Sequence, residues 1–155
     1  MDLTRLLPKE NCLVRQKSTA SLTELLPLMI EPLVASGIVT DAEQFLKDTL
    51  IREEQMTTVA GHQVALPHGR SSAVSRLGLS VLLLDENEEQ LFVEGESESS
   101  VKVIFLIAIP VMMPASHLPL LRHLAKFISQ ERRVGKLLKS RTSAAAVKYL
   151  LSFKG

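Results

Sequence analysis

The stretch VALPHGR, residues 64–70, places a histidine where it could act as a nucleophile. Pro67 fixes its own φ and disfavours a helical conformation at the preceding residue, so the chain approaches His68 in a stiff, extended form. Gly69 permits a sharp turn or the close approach of another group to the backbone. These residue types indicate a rigidly held, accessible imidazole. The alternative is an ordinary exposed histidine after a strand.

The four histidines lack the spacing of a metal site. His62 and His68 are six residues apart, as are His117 and His123. Six residues on one helix rotate the second side chain by roughly 240°, so the second pair cannot share an ion. Neither pair has the short spacing of structural zinc ligands, and Cys12 is distant in sequence. We predict no metal and no cofactor, and the lack of a G-x-S-x-G motif disfavours a serine hydrolase.

The segment SHLPLLRHLAKFISQ predicts a helix that separates two of the histidines. We expect Ser116 to cap it and Pro119 to be tolerated in its first turn. His117 lies near the helix N-terminus, which favours neutral imidazole and attracts anions, at the edge of the apolar stripe; a packing role is the alternative. His123 is expected to face solvent. The predicted stripe consists of Leu118, Leu121, Leu124, Ala125 and Ile128.

Arg52 is a further basic candidate, at the end of the predicted helix DAEQFLKDTLIREE, which Asp41 should cap. A cation in the last turn of a helix interacts favourably with the helix dipole, which is a purely structural interpretation. A guanidinium can also bind a phosphate group through two parallel donors. The residues alone leave both interpretations open.

Other segments predict the elements that would position these side chains. CLVR indicates a first strand, and residues 18–37 a helix with Ser or Thr caps that Pro27 and Pro32 kink or break. Residues 55–63 are predicted to form a loop before an extended stretch over 64–67. LGLSVLLL and SVKVIFLIAI are nearly continuous apolar runs, typical of strands buried on both faces. DENEEQLFVEGESES between them indicates a surface loop or edge hairpin, and ERRVGKLLKS and SAAAVKYLLS indicate two closing helices.

Helices around a few buried strands define the predicted fold class. We expect an α/β protein, a three-layer sandwich with a mixed, mostly parallel sheet of about five strands and helices on both faces. At 155 residues, the chain is expected to form a single domain over residues 1–155.

The composition excludes several classes of function. A formal net charge of +1 and only 4% aromatic residues give no basic surface and no stacking platform for nucleic acid. A lone cysteine precludes an internal disulfide. The N-terminus lacks a signal peptide, and the apolar runs are shorter than the ~20 residues of a membrane-spanning helix. We therefore expect a cytoplasmic protein without membrane insertion.

The stretch LIREEQMTTVAGHQVALPHGR resembles the signature of the type 2 (fructose/mannitol) enzyme IIA domain of the bacterial phosphoenolpyruvate-dependent sugar phosphotransferase system. That family has an Arg-Glu pair, a threonine-glycine loop and Ala-Ile-Pro-His. The corresponding elements here are Arg52-Glu53, Thr58 and ALPH, which ends at His68. The resemblance also covers VASGIVTD, the FVEG…VKVIFLIAIP strand and HLPLLRHLAKFI, whose first residue matches the family's second histidine.

The resemblance implies a protein-histidine phosphocarrier in sugar uptake. His68 would accept a phosphoryl group from the phosphocarrier protein HPr and pass it to enzyme IIB. The chain itself would not insert into the membrane but can associate with a membrane IIC component. Arg52 and His117 would hold the phosphoryl oxygens, with Thr58 as a helper. A phosphate-binding G-x-x-x-x-G-K loop is missing, so a nucleotide is not the expected donor.

An alternative within the resemblance is a regulatory IIA-like module of the nitrogen-related type, which signals through its phosphorylation state. The loop also departs from the family pattern, because Val59 and Gln63 replace glycines and His62 replaces a small polar residue. The sequence does not identify the sugar.

Overall fold

The computed structural model describes residues 2–56, 58–89 and 101–155. The helices are α1 (Leu3–Leu6), α2 (Leu26–Ala35), α3 (Ala42–Gln55), α4 (Leu118–Ile128), α5 (Glu131–Leu138) and α6 (Ser143–Ser152). The strands are β1 (Cys12–Gln16), β2 (Val59–Gly61), β3 (Val64–Ala65), β4 (His68–Ser71), β5 (Gly78–Leu84) and β6 (Val103–Pro110). Two 3₁₀ turns, Lys9–Asn11 and Leu22–Leu25, precede β1 and α2.

The strands form one mixed sheet in the order β1-β5-β6-β3-β2, with β4 also paired to β6. β1 with β5, β3 with β6 and β4 with β6 are parallel, whereas β2 with β3 and β5 with β6 are antiparallel. The predicted mixed, mostly parallel α/β sheet is therefore confirmed. It has six strands in the described residues instead of about five, because β2 occupies part of the predicted 55–63 loop.

The two central strands are buried at every position, which explains their uninterrupted apolar sequences. Alternate side chains enter two separate cores. Phe105 and Ile107 pack on one face with Leu120 and Phe127 of α4, together with residues of α5 and α6. The intervening residues of β5 and β6 pack on the other face with α2 and α3. The sheet thus lies between two helical layers.

Several predicted boundaries change. The 18–37 segment begins with the 3₁₀ turn Leu22–Leu25 and becomes α-helical only at Leu26, and Ser21 makes no side-chain capping bond. Asp41 caps α3 as predicted, because its carboxylate accepts a bond from the Gln44 N–H at 3.1 Å. Residues 90–99 of the predicted surface loop lie outside the described residues. No helix among the described residues is long and apolar enough to cross a membrane.

Candidate functional site

His68 begins β4 at an interruption in the sheet edge. β3 pairs with the start of β6 at Val103, and β4 pairs with it again from Ile107, opposite His68. Leu66 and Pro67 lie between the two short strands, and the Pro67 carbonyl accepts a bond from the Ile107 N–H at 3.0 Å. The proline, which has no N–H to donate, thus lies where the ladder is broken. His68 is held by strand pairing on one side and remains half-buried.

The Nδ1 atom of His68 lies 2.8 Å from the carbonyl oxygen of Leu66. A carbonyl oxygen only accepts hydrogen bonds, so Nδ1 carries the proton in the neutral ring. Nε2 then holds an unshared electron pair. The contact defines both the orientation of the ring and the nitrogen that can attack.

Gly69 lets α3 lie directly against β4. A Cβ atom at Gly69 would lie 2.5 Å from Thr49 Oγ1 and 3.1 Å from Thr49 Cα. Thr49 is fully buried, and its hydroxyl donates to the Phe45 carbonyl at 2.8 Å. The glycine predicted to allow a close approach does so, and the approach places the last turns of α3 beside His68.

Arg52, in the last turn of α3, lines a cavity together with His68. The cavity has a volume of about 470 Å³, and its other lining residues are Asp48, Ile51, Gln55 and Arg70. The Nη1 atom of Arg52 donates to the Met56 carbonyl at 3.0 Å, which uses one of the five guanidinium N–H groups. The remaining donors leave the side chain able to bind an anion in the cavity.

Thr58 does not line the cavity; its hydrogen bonds link the end of α3 to the segment that holds His68. Its hydroxyl donates to the Glu53 carboxylate, and its carbonyl accepts a bond from the Leu66 N–H at 2.9 Å. Leu66 in turn accepts the bond from His68. A chain of contacts therefore runs from the end of α3 to the imidazole and positions it.

His117 faces His68, with ring centroids 6.0 Å apart and ring planes at 27°. It is the N-cap residue of α4 and is only 4% exposed. The backbone carbonyl of Pro114, three residues earlier, lies beside its ring. A buried imidazole next to a candidate nucleophile could bind a group attached to that nucleophile.

The predicted geometry of α4 needs two corrections. Ser116 is not the cap, and its buried hydroxyl has no partner among the described residues. The buried face consists of Leu120, Leu124, Phe127 and Ile128, whereas Leu118 and Ala125 of the predicted stripe are exposed. His117 precedes Leu120 by three residues and lies on this face instead of at its edge, because the buried stripe is centred on Leu120, Leu124 and Phe127 and is rotated from the predicted one.

Arg70 is a site residue that the sequence reasoning missed. It is two residues after His68 on β4, so both side chains stand on the same face of the strand and line the same cavity. It is exposed and makes no ion pair with any described carboxylate. The alternation of β4, with Gly69 and Ser71 buried, is the signal that could have placed it.

Burial is the main cause that lowers the pKa of both site histidines. For His68, the positive charges of Arg52 and Arg70 lower the pKa further, while the Leu66 carbonyl and Glu53 oppose them. For His117, the His68 ring and Arg70 lower the pKa after burial, and the Pro114 carbonyl opposes them. Both rings are therefore neutral near pH 7, the state that a nucleophilic histidine requires.

The remaining histidines lie outside this site. His123 is not fully solvent-exposed as predicted; it is partly buried, with its ring 5.2 Å from that of Phe153. His62 lies in the turn between β2 and β3 at φ 51°, followed by Gln63 at φ 70°. The two non-glycine residues adopt the left-handed backbone of a tight hairpin, at the loop that departs from the resembled pattern.

Comparison with known proteins identifies the class of protein that this site belongs to. Residues 5–153 match the family model "Phosphoenolpyruvate-dependent sugar phosphotransferase system, EIIA 2". The mannitol-specific phosphotransferase enzyme IIA component of Bacillus subtilis is 30% identical over 141 residues, covering 89% of this chain and 91% of that protein. The chain therefore belongs to the type 2 enzyme IIA family and is a phosphotransfer component of the sugar phosphotransferase system.

Solved structures share the fold. The nitrogen regulatory protein IIA-Ntr of Neisseria meningitidis has a TM-score of 0.81 at 21% identity, covering 96% of this chain and 98% of its own. Enzyme IIA of mannitol from Escherichia coli, solved in complex with phosphorylated enzyme IIB, has a TM-score of 0.77 at 22% identity, covering 94% and 97%.

Proposed function

We propose that this chain carries a phosphoryl group on Nε2 of His68, accepting it from HPr and passing it to enzyme IIB during sugar uptake. The observation that carries the proposal is the contact between His68 Nδ1 and the Leu66 carbonyl. This contact keeps the proton on Nδ1 and leaves Nε2 as the nucleophile. Membership of the family indicates phosphoryl transfer as the reaction, and the hydrogen bond to Leu66 indicates Nε2 as the attacking atom.

In the proposed transfer to His68, one N–P bond forms as another breaks. The Nε2 electron pair forms the new N–P bond while the N–P bond to the donor histidine breaks and its electron pair stays on the donor nitrogen. The imidazole of His68 becomes positively charged, and its Nδ1–H continues to donate to Leu66. Because the transition state is loose and in-line, the protein contributes mainly positioning and charge stabilisation.

Three side chains around the cavity can stabilise the phosphoryl oxygens. Arg52 and Arg70 supply guanidinium groups beside His68. His117 supplies a buried ring that faces His68, with the two ring centroids 6.0 Å apart. The dianionic phosphoryl group would raise the pKa of His117 and favour a protonated, donating ring. Thr58 is proposed to help through its contacts to Glu53 and Leu66, which hold the His68 ring in place.

The surface around the cavity favours transient docking of a partner protein. Six of the seven exposed large apolar side chains in the described part of the chain lie on the segments that carry Arg52 and His117. They are Ile51, Met56, Val111, Met112, Met113 and Leu118. Flexible methionines adapt to different partner surfaces, as a carrier with separate donor and acceptor proteins requires.

The Escherichia coli relative that forms a complex with phosphorylated enzyme IIB supports IIB as the acceptor. The likeness to IIA-Ntr is a likeness of fold at 21% identity and does not favour the regulatory alternative. Mannitol-specific relatives make a mannitol IIB protein the first acceptor to test.

The proposal is tested by reconstitution with phosphoenolpyruvate, enzyme I, HPr and a IIB protein. The wild-type chain should gain one acid-labile phosphoryl group and lose it when IIB is added, whereas His68→Ala should gain none. His62→Asn is the matched control, because this exposed histidine lies in the hairpin turn. Labelling of His68→Ala, or no labelling of the wild type by an HPr shown to be active, would contradict the proposal.

A further inference from the structure

A second cavity lies between α4 and the two ends of the described chain. Its volume is about 530 Å³, a size typical of pockets that bind small organic molecules. Arg122, His123 and Lys126 of α4 form one wall, and Phe153 and Lys154 form another. We call it the basic cavity.

The basic cavity is separate from the His68 site. His117 and His123 are six residues apart at the start and middle of α4, so their side chains point in directions roughly 240° apart. His117 faces the core and His68, whereas His123 faces Phe153. None of the residues that the structure describes lines both cavities.

The three cations of the basic cavity are not neutralised by the protein. Arg122, Lys126 and Lys154 form no ion pair with any carboxylate among the described residues. Arg122 and Lys126 are four residues apart on α4, a spacing at which like charges destabilise a helix. Among the described lining residues, Asp2 carries the one acidic side chain, and Arg5 pairs with it at 3.5 Å. Gly155 also lines the cavity, beside His123 and Lys126.

The wall of the basic cavity also contains two aromatic rings. His123 and Phe153 are tilted at 57° with their centroids 5.2 Å apart. Arg133 lies on the Phe153 ring, with its guanidinium carbon 4.7 Å from the ring centroid. Phe153 is only 5% exposed and Arg133 does not line the cavity, so the ring that a ligand can contact beside the cations is the partly buried imidazole of His123. After burial, the charges of Lys126 and Lys154 lower the pKa of His123, which is the effect of an unneutralised positive field.

We propose that the basic cavity binds a small molecule that carries a phosphate group, with Arg122, Lys126 and Lys154 holding the phosphate and the His123 ring contacting the organic part. A phosphate dianion supplies the negative charge that the described side chains lack, and arginine and lysine are the side chains that bind it. The cavity has room for a phosphorylated metabolite of monosaccharide size. The site functions as a ligand site independent of the His68 phosphoryl group.

The imidazole resonances of His123 provide a direct test by NMR. They should shift saturably when inorganic phosphate or a hexose monophosphate is added, and the pKa of His123 should rise because the anion offsets the nearby cations. The unphosphorylated hexose should give no shift. Tighter binding of the hexose monophosphate than of inorganic phosphate would show that the organic part contributes.

Three variants make the test specific. Arg122→Gln/Lys126→Gln and, separately, Lys154→Gln should weaken binding by about tenfold or more, because each removes charged donors from exposed positions without disturbing the core. Arg132→Gln, exposed on α5 and outside the cavity, and His68→Ala should bind as the wild type does. The proposal is overturned if neither probe shifts His123 saturably at millimolar concentration, or if the cavity variants bind as tightly as Arg132→Gln.

Discussion

The imidazole of His68 donates from Nδ1 to the carbonyl oxygen of Leu66, two residues earlier, across 2.8 Å. Pro67, the residue between them, leaves the strand ladder open at this point, so the Leu66 carbonyl is free to meet the ring. The Ala-Leu-Pro-His sequence thus makes its own orienting contact. The tautomer of His68 is thus set by residues next to it in the sequence, whereas the tertiary structure brings the charge of Arg52 to the ring.

The lowered pKa of His68 predicts the pH dependence of phosphoryl acceptance. Because the folded-state pKa lies below 6.5, the ring stays neutral as the pH falls through 6.5, and the rate should decline only at lower pH. Arg70→Gln removes one of the charges that lower the pKa, so the decline should move to higher pH. The measurement is the single-turnover rate of labelling from phospho-HPr between pH 5 and 8.

Arg76→Gln is the control for this experiment. Arg76 is also exposed, but it donates to the Ser36 carbonyl and does not line the His68 cavity. Its pH profile should match that of the wild type. Coincident profiles for Arg70→Gln and the wild type would show that Arg70 does not act on His68.

Substitution of Arg52 by lysine should slow transfer while preserving the fold. Lysine retains the charge but loses the planar fork that binds two phosphoryl oxygens. The expected loss is about tenfold or more in rate, which corresponds to ~1.4 kcal/mol of transition-state stabilisation. Rapid-quench measurements in both directions, from HPr and to IIB, would give the effect. Rates equal to those of the wild type would show that Arg52 has only a structural role, in which it donates to the Met56 carbonyl.

His117→Ala should slow transfer without creating or removing a labelled residue. His117 is 4% exposed, so a partner protein cannot reach it as it reaches His68. Loss of a preorganised donor costs on the order of tenfold to a hundredfold in rate where solvent reaches part of the site. Peptide mapping after labelling should find the phosphoryl group on His68 alone. A variant as fast as His62→Asn, or label on another residue, would contradict the assignment.

The hairpin turn predicts a stabilising substitution. Gln63 adopts φ 70°, a left-handed conformation that glycine occupies without steric cost. Gln63→Gly should raise the free energy of unfolding by roughly 0.5–1 kcal/mol, after the entropy of the added glycine is offset against the strain relieved. Urea unfolding of both proteins measures this difference. A loss of stability would show that interactions of the Gln63 side chain outweigh its backbone strain.

The parts of the site that were predictable from the sequence are those encoded locally. Pro67 and Gly69 predict a rigidly held histidine. The apolar runs of β5 and β6 predict buried strands, because every position of these strands faces a core. The predicted position of His117 at the edge of the apolar stripe was wrong. Leu118 and Ala125, which were counted in that stripe, are exposed, and Leu120 and Phe127 are buried instead.

The parts that were not predictable depend on contacts between distant residues. The alternation of β4 shows only that Arg70 shares a face with His68; its place in the same cavity as Arg52 depends on the packing of α3 against β4 at Gly69. β2 contains only three residues, too few to show an alternating pattern, and it forms a strand because it pairs with β3. His123 was expected to be exposed because it faces away from the predicted apolar stripe. Its partner, Phe153, lies thirty residues later in the chain, beyond the reach of local patterns.

The most direct test of the account is the identity of the phosphorylated atom. The protein, labelled with ¹⁵N in its histidines, would be phosphorylated through phosphoenolpyruvate, enzyme I and HPr and examined by NMR for coupling between phosphorus and nitrogen. We predict a coupling to Nε2 of His68 and a Nδ1–H that still donates to Leu66. Phosphorus on Nδ1, or on any residue other than His68, would contradict the central claim.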